Sequence, residues 1–197
     1  MELNIREFKR QIFHLIFGAV LIILIYFDIL SLEALAVIFA LGYIISILSR
    51  TNEIPVISWF LRHFEREETM REFPGKGALF FVAGCLIVLI LFEKNIALAS
   101  IAILTVGDSI SHIIGYQFGK RKHPWNQDKL IEGSIAGAVC GTFAAFLFVP
   151  FIYALAASLF AMFVEAIEVQ ILKRVIDDNI TVPFVAGCVL YIMQLIL

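Results

Sequence analysis

An acidic residue stands in the middle of an apolar run, in the stretch TVGDSISHIIG that begins at Thr105 and ends at Gly115. The flanking residues are largely Ile, Leu, Ala and Val, which is typical of a membrane helix. An ionised Asp108 at bilayer depth costs about 2.5 kcal/mol or more, so such a residue usually has a function. We interpret Asp108 as part of a buried site for a metal–phosphate complex. A buried hydrogen bond or ion pair between helices is the structural alternative.

Small and polar residues follow Asp108 at helical spacing. Ser111, His112, Gly115 and Gly119 come at intervals that place all five residues on one face of a helix. Such a stripe contacts protein or water, because lipid offers no polar partners. The spacing therefore predicts a cavity beside this face that opens toward the cytoplasm.

The next polar stretch, FGKRKHPWNQDKLIEGSIAG (118–137), combines a basic loop with a helix start. The cations precede Glu132, Gly133 and Ser134, where a helix is predicted to begin. The exposed N–H groups at a helix start bind anions, and neighbouring cations reinforce this. The stretch therefore predicts a phosphate site, with contact to anionic lipid headgroups as the alternative. Its cations are Lys120, Arg121, Lys122 and Lys129.

Two glycine patterns accompany these residues. Gly133, Gly137 and Gly141 recur at every fourth position, which allows close approach by a neighbouring helix or a ligand. A Gly-Lys-Gly turn in REFPGKGA (71–78) also stands at a predicted helix start, where its amides and Lys76 could bind phosphate. It is not a P-loop, because GxxxxGK[ST] is absent from the chain.

Hard oxygen donors recur toward the end of the chain. Glu165 and Glu168 close an apolar run, and DDNITVP follows with Asp177, Asp178 and Asn179. Carboxylate and amide oxygens of this kind suit Mg²⁺. A solvated loop that caps a helix is the alternative for the Asp pair.

The composition places the chain among membrane proteins. It is 61% hydrophobic and 16% charged, with a mean hydropathy of +0.94, whereas about a quarter of the residues of a soluble domain are charged. The net charge of −2, without a basic cluster interleaved with aromatics, argues against a nucleic-acid partner. Cys85, Cys140 and Cys188 lie in apolar runs without CxxC spacing, and we interpret them as core residues.

Seven apolar segments must position these side chains. A membrane span needs about 20 apolar residues, with a range of about 17–25. We predict an all-α polytopic membrane protein, a single bundle of seven transmembrane helices covering 1–197 without a second domain. The first run is too long for the apolar part of a signal peptide and is expected to remain as a membrane helix. The segments are 11–30, 32–49, 78–93, 95–118, 134–149, 151–171 and 182–197.

The basic residues predict the orientation. Of the fifteen Lys and Arg residues, all except Lys94 fall in the N-terminal tail or in the polar stretches 50–77, 119–133 and 172–181. The positive-inside rule therefore places the N-terminus and these three loops in the cytoplasm, and the C-terminus outside. Within the first loop, IPVISWFLRHF (54–64) predicts a short helix lying in the membrane interface, with a plain connector as the alternative.

At this point GDSISHIIGYQFGK followed by KLIEGSIAG resembles the CTP-dependent lipid-alcohol kinases, a family of dolichol (polyprenol) kinases, phytol kinases and the fungal CTP-using diacylglycerol kinase. The resemblance runs from about 62 to 183 and extends to Arg10 and His14. His14 alone is either a helix-packing histidine or a catalyst. A more distant similarity is to the phosphatidate cytidylyltransferases.

The resemblance implies which residues form a CTP site. Many family members have a Ser/Pro-rich sequence before the lysine that corresponds to Lys129. This chain has HPWNQDKLIEGS instead, which leaves the phosphate contacts of that segment open. The implied residues are Asp108, Lys120, Lys129, Glu132, Gly133, Ser134, Asp178 and Asn179.

The resulting hypothesis is phosphoryl transfer from CTP to a lipid alcohol. Mg²⁺ held by Asp108, together with Asp178 or Glu165, would bridge the β- and γ-phosphates. Glu132 or Glu165 would accept the hydroxyl proton, and the sequence does not choose between them. The cations expected to stabilise the phosphates are Lys76, Lys120, Arg121 and Lys129.

Two other functions remain open at this stage. A cytidylyltransferase would attack the α-phosphorus of CTP and make a CDP-lipid. A small ion-coupled transporter would use Asp108, His112 and Glu165 as a relay. We expect a multi-pass protein of the cell membrane with its site facing the cytoplasm. The sequence indicates neither the chain length of the lipid nor the oligomeric state.

Overall fold

The computed structural model describes residues 5–50, 59, 61, 63–64, 73–167, 170–171 and 174–196. Within these ranges the chain is helical apart from connecting turns and one short hairpin, which confirms the predicted helical class. The helices are α1 (Ile5–Tyr26), α2 (Leu32–Leu48), α3 (Lys76–Leu91), α4 (Lys94–Phe118), α5 (Ile131–Ala145), α6 (Phe151–Ile167) and α7 (Asp178–Ile196), and the hairpin pairs β1 (Gln170–Ile171) with β2 (Arg174–Val175).

Several helices begin before the predicted apolar segments. The first helix begins at Ile5 rather than near 11, and α5 begins at Ile131 rather than near 134. The correction matters most at α7, where Asp178 and Asn179 lie in the first helical turn and not in the predicted loop. Apolar windows miss such turns, because charged residues lower the local hydropathy while acids stabilise the N-terminus of a helix.

The predicted interfacial helix at 54–64 lies mostly outside the described residues. The residues described there are helical: Trp59, Leu61, His63 and Phe64. Glu168, the second acid predicted at the end of the sixth segment, also falls outside the described part.

Among the described residues, three helices are long and apolar enough to cross a membrane: α1, α4 and α7. The other four apolar helices have 15 to 17 residues each, which is near or below the lower end of the usual range for a span. The count of seven spans and their orientation therefore stay predictions.

Helix α4 lies at the centre of the fold. All residues from Ile96 to Thr105 are buried, and the helix contacts α1, α3, α5, α6 and α7. It is α-helical over Lys94–Ala102, π-helical over Ile103–Asp108 and α-helical again over Ser109–Phe118. A π-helical turn inside an α-helix often marks a functional site, and this one ends at Asp108.

Glycines bring α4 and α5 into close contact, as their spacing predicts. A Cβ atom added to Gly137 would stand 2.6 Å from the carbonyl oxygen of Gly107, and one added to Gly133 would stand 2.9 Å from the Cα of Gly115. The side of α4 that carries Asp108 is therefore held against the start of α5, directly after the basic loop.

Candidate active site

Asp108 stands at the end of the π-helical turn with its side chain inside the bundle. Only 4% of the residue is exposed, and its Oδ1 atom is buried without a hydrogen-bond partner. A buried carboxylate oxygen in this state is costly unless a cation or donor satisfies it. The groups that surround this oxygen therefore determine how its charge is compensated.

Two histidines flank the Asp108 carboxylate. His14 of α1 places Nδ1 3.4 Å from Oδ2, and the edge of its ring meets Phe81, with centroids 4.7 Å apart. His112, one turn along α4, places Nδ1 3.3 Å from Oδ1 and 3.0 Å from the backbone oxygen of Asp108. The Nε2 atom of His14 is buried and has no hydrogen-bond partner.

A lysine–glutamate ion pair lies beside this group. The Lys129 ammonium donates a short hydrogen bond to Oε1 of Glu165, which stands near the end of α6. The same ammonium is 3.4 Å from Nε2 of His112 and 3.8 Å from Oδ2 of Asp178. The Glu165 side chain is fully buried, and its Oε2 atom has no hydrogen-bond partner.

The acids around Lys129 keep it charged. Burial alone would lower the pKa of the ammonium, but the carboxylates of Glu165, Asp178 and Asp108 outweigh that effect and raise its pKa above the ordinary range. Lys129 is therefore a cation at neutral pH. For the neighbouring Asp177 carboxyl, burial and the charge of Asp178 also raise the pKa, which in an acid disfavours the charged form.

Four side chains converge closely enough to hold a metal ion. Asp108, His112, Glu165 and Asp178 each offer one ligand atom, and these atoms all lie within 4.8 Å of one another. Three carboxylates supply the hard oxygens that Mg²⁺ prefers. The unpartnered oxygens of Asp108 and Glu165 are further consistent with a cation, so the residues fit the predicted metal. We call these four residues the acid cluster.

A cavity of about 90 Å³ adjoins the acid cluster. One part of its wall is polar, and the rest is apolar and comes mainly from α1 and α3. The glycines at the start of α3 also face it, where Gly75 has a φ of 75° that favours glycine. The polar lining includes Arg10, Gln11, Asp108, Asp178 and Asn179, and the apolar lining includes Phe13, Phe17, Phe64 and Phe81.

Comparison with known proteins finds homologues among lipid kinases. Over 193 residues the chain is 33% identical to an uncharacterized protein of Methanocaldococcus jannaschii, covering 94% of this chain and 93% of that protein. It is 28% identical over 135 residues to CTP-dependent diacylglycerol kinase 1 of Schizosaccharomyces pombe, and 30% identical over 142 residues to the farnesol kinase of Arabidopsis thaliana. The chain is therefore homologous to CTP-dependent diacylglycerol kinase and to phytol and farnesol kinases, which are lipid-alcohol kinases.

The resemblance found in the sequence motifs is thereby confirmed. The matches cover 60% of this chain and of the diacylglycerol kinase, and 64% of this chain against 44% of the farnesol kinase. The chain thus spans about half the length of these two kinases. No family model and no solved structure matches it.

The structure brings some of the predicted site residues together. Asp108, Glu165 and Asp178 belong to the acid cluster, Lys129 contacts it, and Asn179 lines the adjoining cavity. Lys76 stands at the start of α3 with Nζ 3.4 Å from Oδ2 of Asp177, the residue before α7.

Other predicted residues lie on the loop side of α5. Glu132 accepts hydrogen bonds from the backbone N–H groups of Lys120 and Arg121, at 3.1 and 3.2 Å. The Ser134 hydroxyl is 3.1 Å from Nε2 of His123. Gly133 is buried against α4. The described structure does not place these residues in the acid cluster, and their contacts hold the basic loop onto α5.

The predicted site omitted two groups that the structure places at its centre. In the sequence, His112 belongs to the polar stripe and to the relay of the transporter alternative, and its position four residues after Asp108 is the available signal. For His14 both packing and catalysis stay open in the sequence, because nothing there shows that α1 lies against the middle of α4. Its distance from Asp108 depends on tertiary packing alone.

Proposed function

We propose that the protein is an integral-membrane kinase that transfers the γ-phosphate of CTP to the hydroxyl of a lipid alcohol. The proposed acceptor is an isoprenoid, either of the dolichol or polyprenol type or a shorter prenol. The observation that supports this most strongly is the position of the acid cluster, next to a cavity with one polar and one apolar wall. A metal-bound polyphosphate and the hydroxyl end of a lipid both find suitable surroundings there.

The proposal includes Mg²⁺. Asp108, Glu165 and Asp178 would hold the ion, which when bound supplies positive charge to the β- and γ-phosphate oxygens. His112 completes the set of four donors, although Mg²⁺ prefers oxygen ligands. We therefore assign the His112 ring first to the orientation of Asp108, through the contact described above.

The chain's own cations and amides would bind the phosphates. Lys129 is at the acid cluster, and Arg10 lines the cavity beside Asp108 and Asp178. The glycine turn at the start of α3 faces the same cavity, and N–H groups at a helix start bind phosphate. Lys120 and Arg121 lie on the exposed basic loop, where their charge attracts a nucleotide anion.

In the proposed reaction, the hydroxyl oxygen of the lipid attacks the γ-phosphorus. A new O–P bond forms, the bond between the γ-phosphorus and the β–γ bridging oxygen breaks, and CDP leaves. The hydroxyl proton passes to a carboxylate of the acid cluster. Glu165 belongs to that cluster, whereas Glu132 is engaged with loop amides, so we assign Glu132 to positioning the loop. Catalysis of this kind depends mainly on orientation and charge neutralisation.

The proposed topology has seven spans with the N-terminus in the cytoplasm of a cell-membrane protein. The start of α1, the basic loop, the start of α3 and the start of α7 all lie at the same end of the bundle as the acid cluster. Lys94 and Asp28 lie at the opposite end of α4 and α1. This distribution supports a site that opens toward the cytoplasm.

The decisive experiment uses CTP labelled at two positions. Purified protein is incubated with Mg²⁺ and either γ- or α-labelled CTP, together with polyprenol, farnesol, phytol or diacylglycerol. We expect γ label in the lipid fraction, highest with an isoprenoid alcohol, and no α label. Incorporation of α label would favour a cytidylyltransferase instead, and no labelled lipid with any acceptor would contradict the kinase.

A variant connects this activity to the site. Asp108→Asn keeps the shape of the side chain but removes its charge, and we expect γ-label transfer to fall by about 10²–10³-fold. Unchanged elution on size exclusion would show that the variant is folded. A variant with the full transfer rate would remove Asp108 from the metal site.

A further inference from the structure

The Lys129 ammonium lies where the acid cluster would hold a metal ion. It approaches Glu165, Asp178 and His112, three of the four potential metal ligands. The Lys129 side chain is only 14% exposed, so the contact is not that of a surface lysine. In this conformation the cluster already contains a cation, and that cation belongs to the chain.

One lysine does not satisfy the cluster. Three carboxylates have the Lys129 ammonium and the rings of His14 and His112 beside them, yet Oδ1 of Asp108 and Oε2 of Glu165 remain buried without hydrogen-bond partners. The cluster therefore retains capacity for more positive charge than Lys129 supplies. A divalent cation would supply it, but a dication and an ammonium at the same place repel each other.

The backbone around Lys129 allows its side chain to move independently. His123 donates its N–H to the Lys129 carbonyl at 3.0 Å, and Ile131 donates to Arg121 at 2.9 Å, which anchors the loop on both sides. Lysine carries its charge on a flexible four-carbon stem. The ammonium can therefore leave the acids without a change in the loop, provided that another anion receives it.

We propose that Lys129 is a tethered cation that exchanges with the metal ion: it neutralises the acid cluster when the site is free of nucleotide, and moves onto the polyphosphate when a metal–nucleotide complex binds. The inference rests on the proposed function, since the polyphosphate is the anion that receives the ammonium. The metal ion is then bound weakly alone and tightly together with nucleotide.

The test compares Lys129→Met with wild type by using Mn²⁺, whose free ion is counted by electron paramagnetic resonance. The full-length protein is titrated in detergent without nucleotide. We expect the variant to bind Mn²⁺ at least about tenfold more tightly, which is an ordinary coupling between two ligands. Its affinity for β,γ-methylene-CTP in saturating Mn²⁺ should fall by about as much. Lys94→Met, a lysine at the opposite end of the bundle, should change neither affinity.

The two opposite shifts distinguish exchange from damage to the site. Equal or weaker Mn²⁺ binding by Lys129→Met, or an unchanged affinity for the nucleotide analogue, overturns the proposal. Should Lys129→Met fail to fold, Mn²⁺ added during purification should restore a monodisperse protein, because the dication replaces the missing ammonium. Failure of Mn²⁺ to restore it also overturns the exchange.

The titration needs neither lipid nor turnover, so it can be separated from the kinase assay. Tighter Mn²⁺ binding by the variant, without γ-label transfer by wild type, would count against the proposed kinase activity and leave the cation exchange in place. Full transfer by wild type, with equal Mn²⁺ affinities in the two proteins, would count against the exchange alone.

Discussion

Two lysine–carboxylate pairs lie at opposite ends of the bundle and differ in what surrounds them. Lys94 is 2.6 Å from Oδ1 of Asp28 and donates to the backbone oxygen of Tyr26 at 3.0 Å, and its partner's side chain is 83% exposed. Lys129 meets a fully buried Glu165 with further acids around it. Water can solvate the first pair, whereas the side chains of the second are 14% and 0% exposed, so the protein supplies most of what compensates their charges.

The two pairs differ in what their charges contribute to the stability of the fold. An exposed pair contributes about 0–1 kcal/mol to stability. A buried pair repays its desolvation only with good geometry and full hydrogen bonding, and the acid cluster leaves two carboxylate oxygens unpaired. The stability of the fold therefore does not explain a cluster of this composition, which agrees with the proposal that it binds a cation.

Removing the carboxylate from each pair is expected to give the largest contrast. Glu165→Gln deletes a proposed metal ligand and the hydrogen-bonded partner of Lys129, so γ-label transfer should fall by about 10²–10³-fold. Asp28→Asn removes the equivalent charge from the exposed pair and should leave the transfer rate unchanged. Both variants are measured with saturating CTP and Mg²⁺. Equal rates for Glu165→Gln and Asp28→Asn would show that the buried pair has no part in the reaction.

Removing the lysine from each pair tests the cost of the unpaired acids. Without metal, Lys129→Met should lower the free energy of unfolding by about 3–5 kcal/mol, because it leaves buried charges uncompensated. Lys94→Met should lower it by about 1 kcal/mol or less. Thermal unfolding in detergent with a chelator measures both. A Lys129→Met protein as stable as Lys94→Met would mean that the acid cluster is hydrated rather than sealed.

In α4, part of the site can be predicted from the sequence. Asp108 is visible as an acid in an apolar run, and the stripe that follows predicts a helix face that avoids lipid; the structure confirms that the segment is helical and that Asp108 is buried. The π-helical turn that ends at Asp108 is not predictable from the spacing of the residues, which follows the regular α-helical period. The side chain's direction therefore had to come from the structure.

Long-range partners account for most of what the sequence could not show. Lys129 was predicted from a basic loop and Glu165 from an acid deep in an apolar run, but nothing pairs them across 36 positions before α5 and α6 are packed. The sequence predicts Asp178 in a loop, whereas the structure has it in the first turn of α7. Beside that turn, Asp177 accepts hydrogen bonds from the backbone and side-chain amides of Asn179. Caps of this kind are hard to distinguish from solvated turns in sequence.

A smaller effect is expected where α4 and α5 touch beneath the buried pair. Gly137→Ala would place a Cβ 2.6 Å from the carbonyl oxygen of Gly107, so the helices must separate. We expect a loss of about 1–3 kcal/mol in the free energy of unfolding. Gly42→Ala is the matched control, because its Cβ would meet only the end of the Leu79 side chain, at 3.0 Å. Equal stability of the two variants would show that α4 and α5 can move apart freely.

The smallest expected effect is the salt dependence of the stability that each lysine–carboxylate pair contributes. The Debye length falls from about 10 Å at 0.1 M salt to about 3 Å at 1 M, so salt screens exposed charges and reaches sealed ones much less. The difference in stability between wild type and Lys94→Met should therefore disappear in 1 M NaCl. The difference for Lys129→Met should persist, because the Lys129 and Glu165 side chains are 14% and 0% exposed. Thermal unfolding of the three proteins at both salt concentrations, with a chelator present, measures this. If the stability difference for Lys129→Met also disappeared in 1 M NaCl, solvent ions would have to enter the acid cluster. Dissolved cations could then replace Lys129, and it would not be the cation that neutralises the site before nucleotide binds.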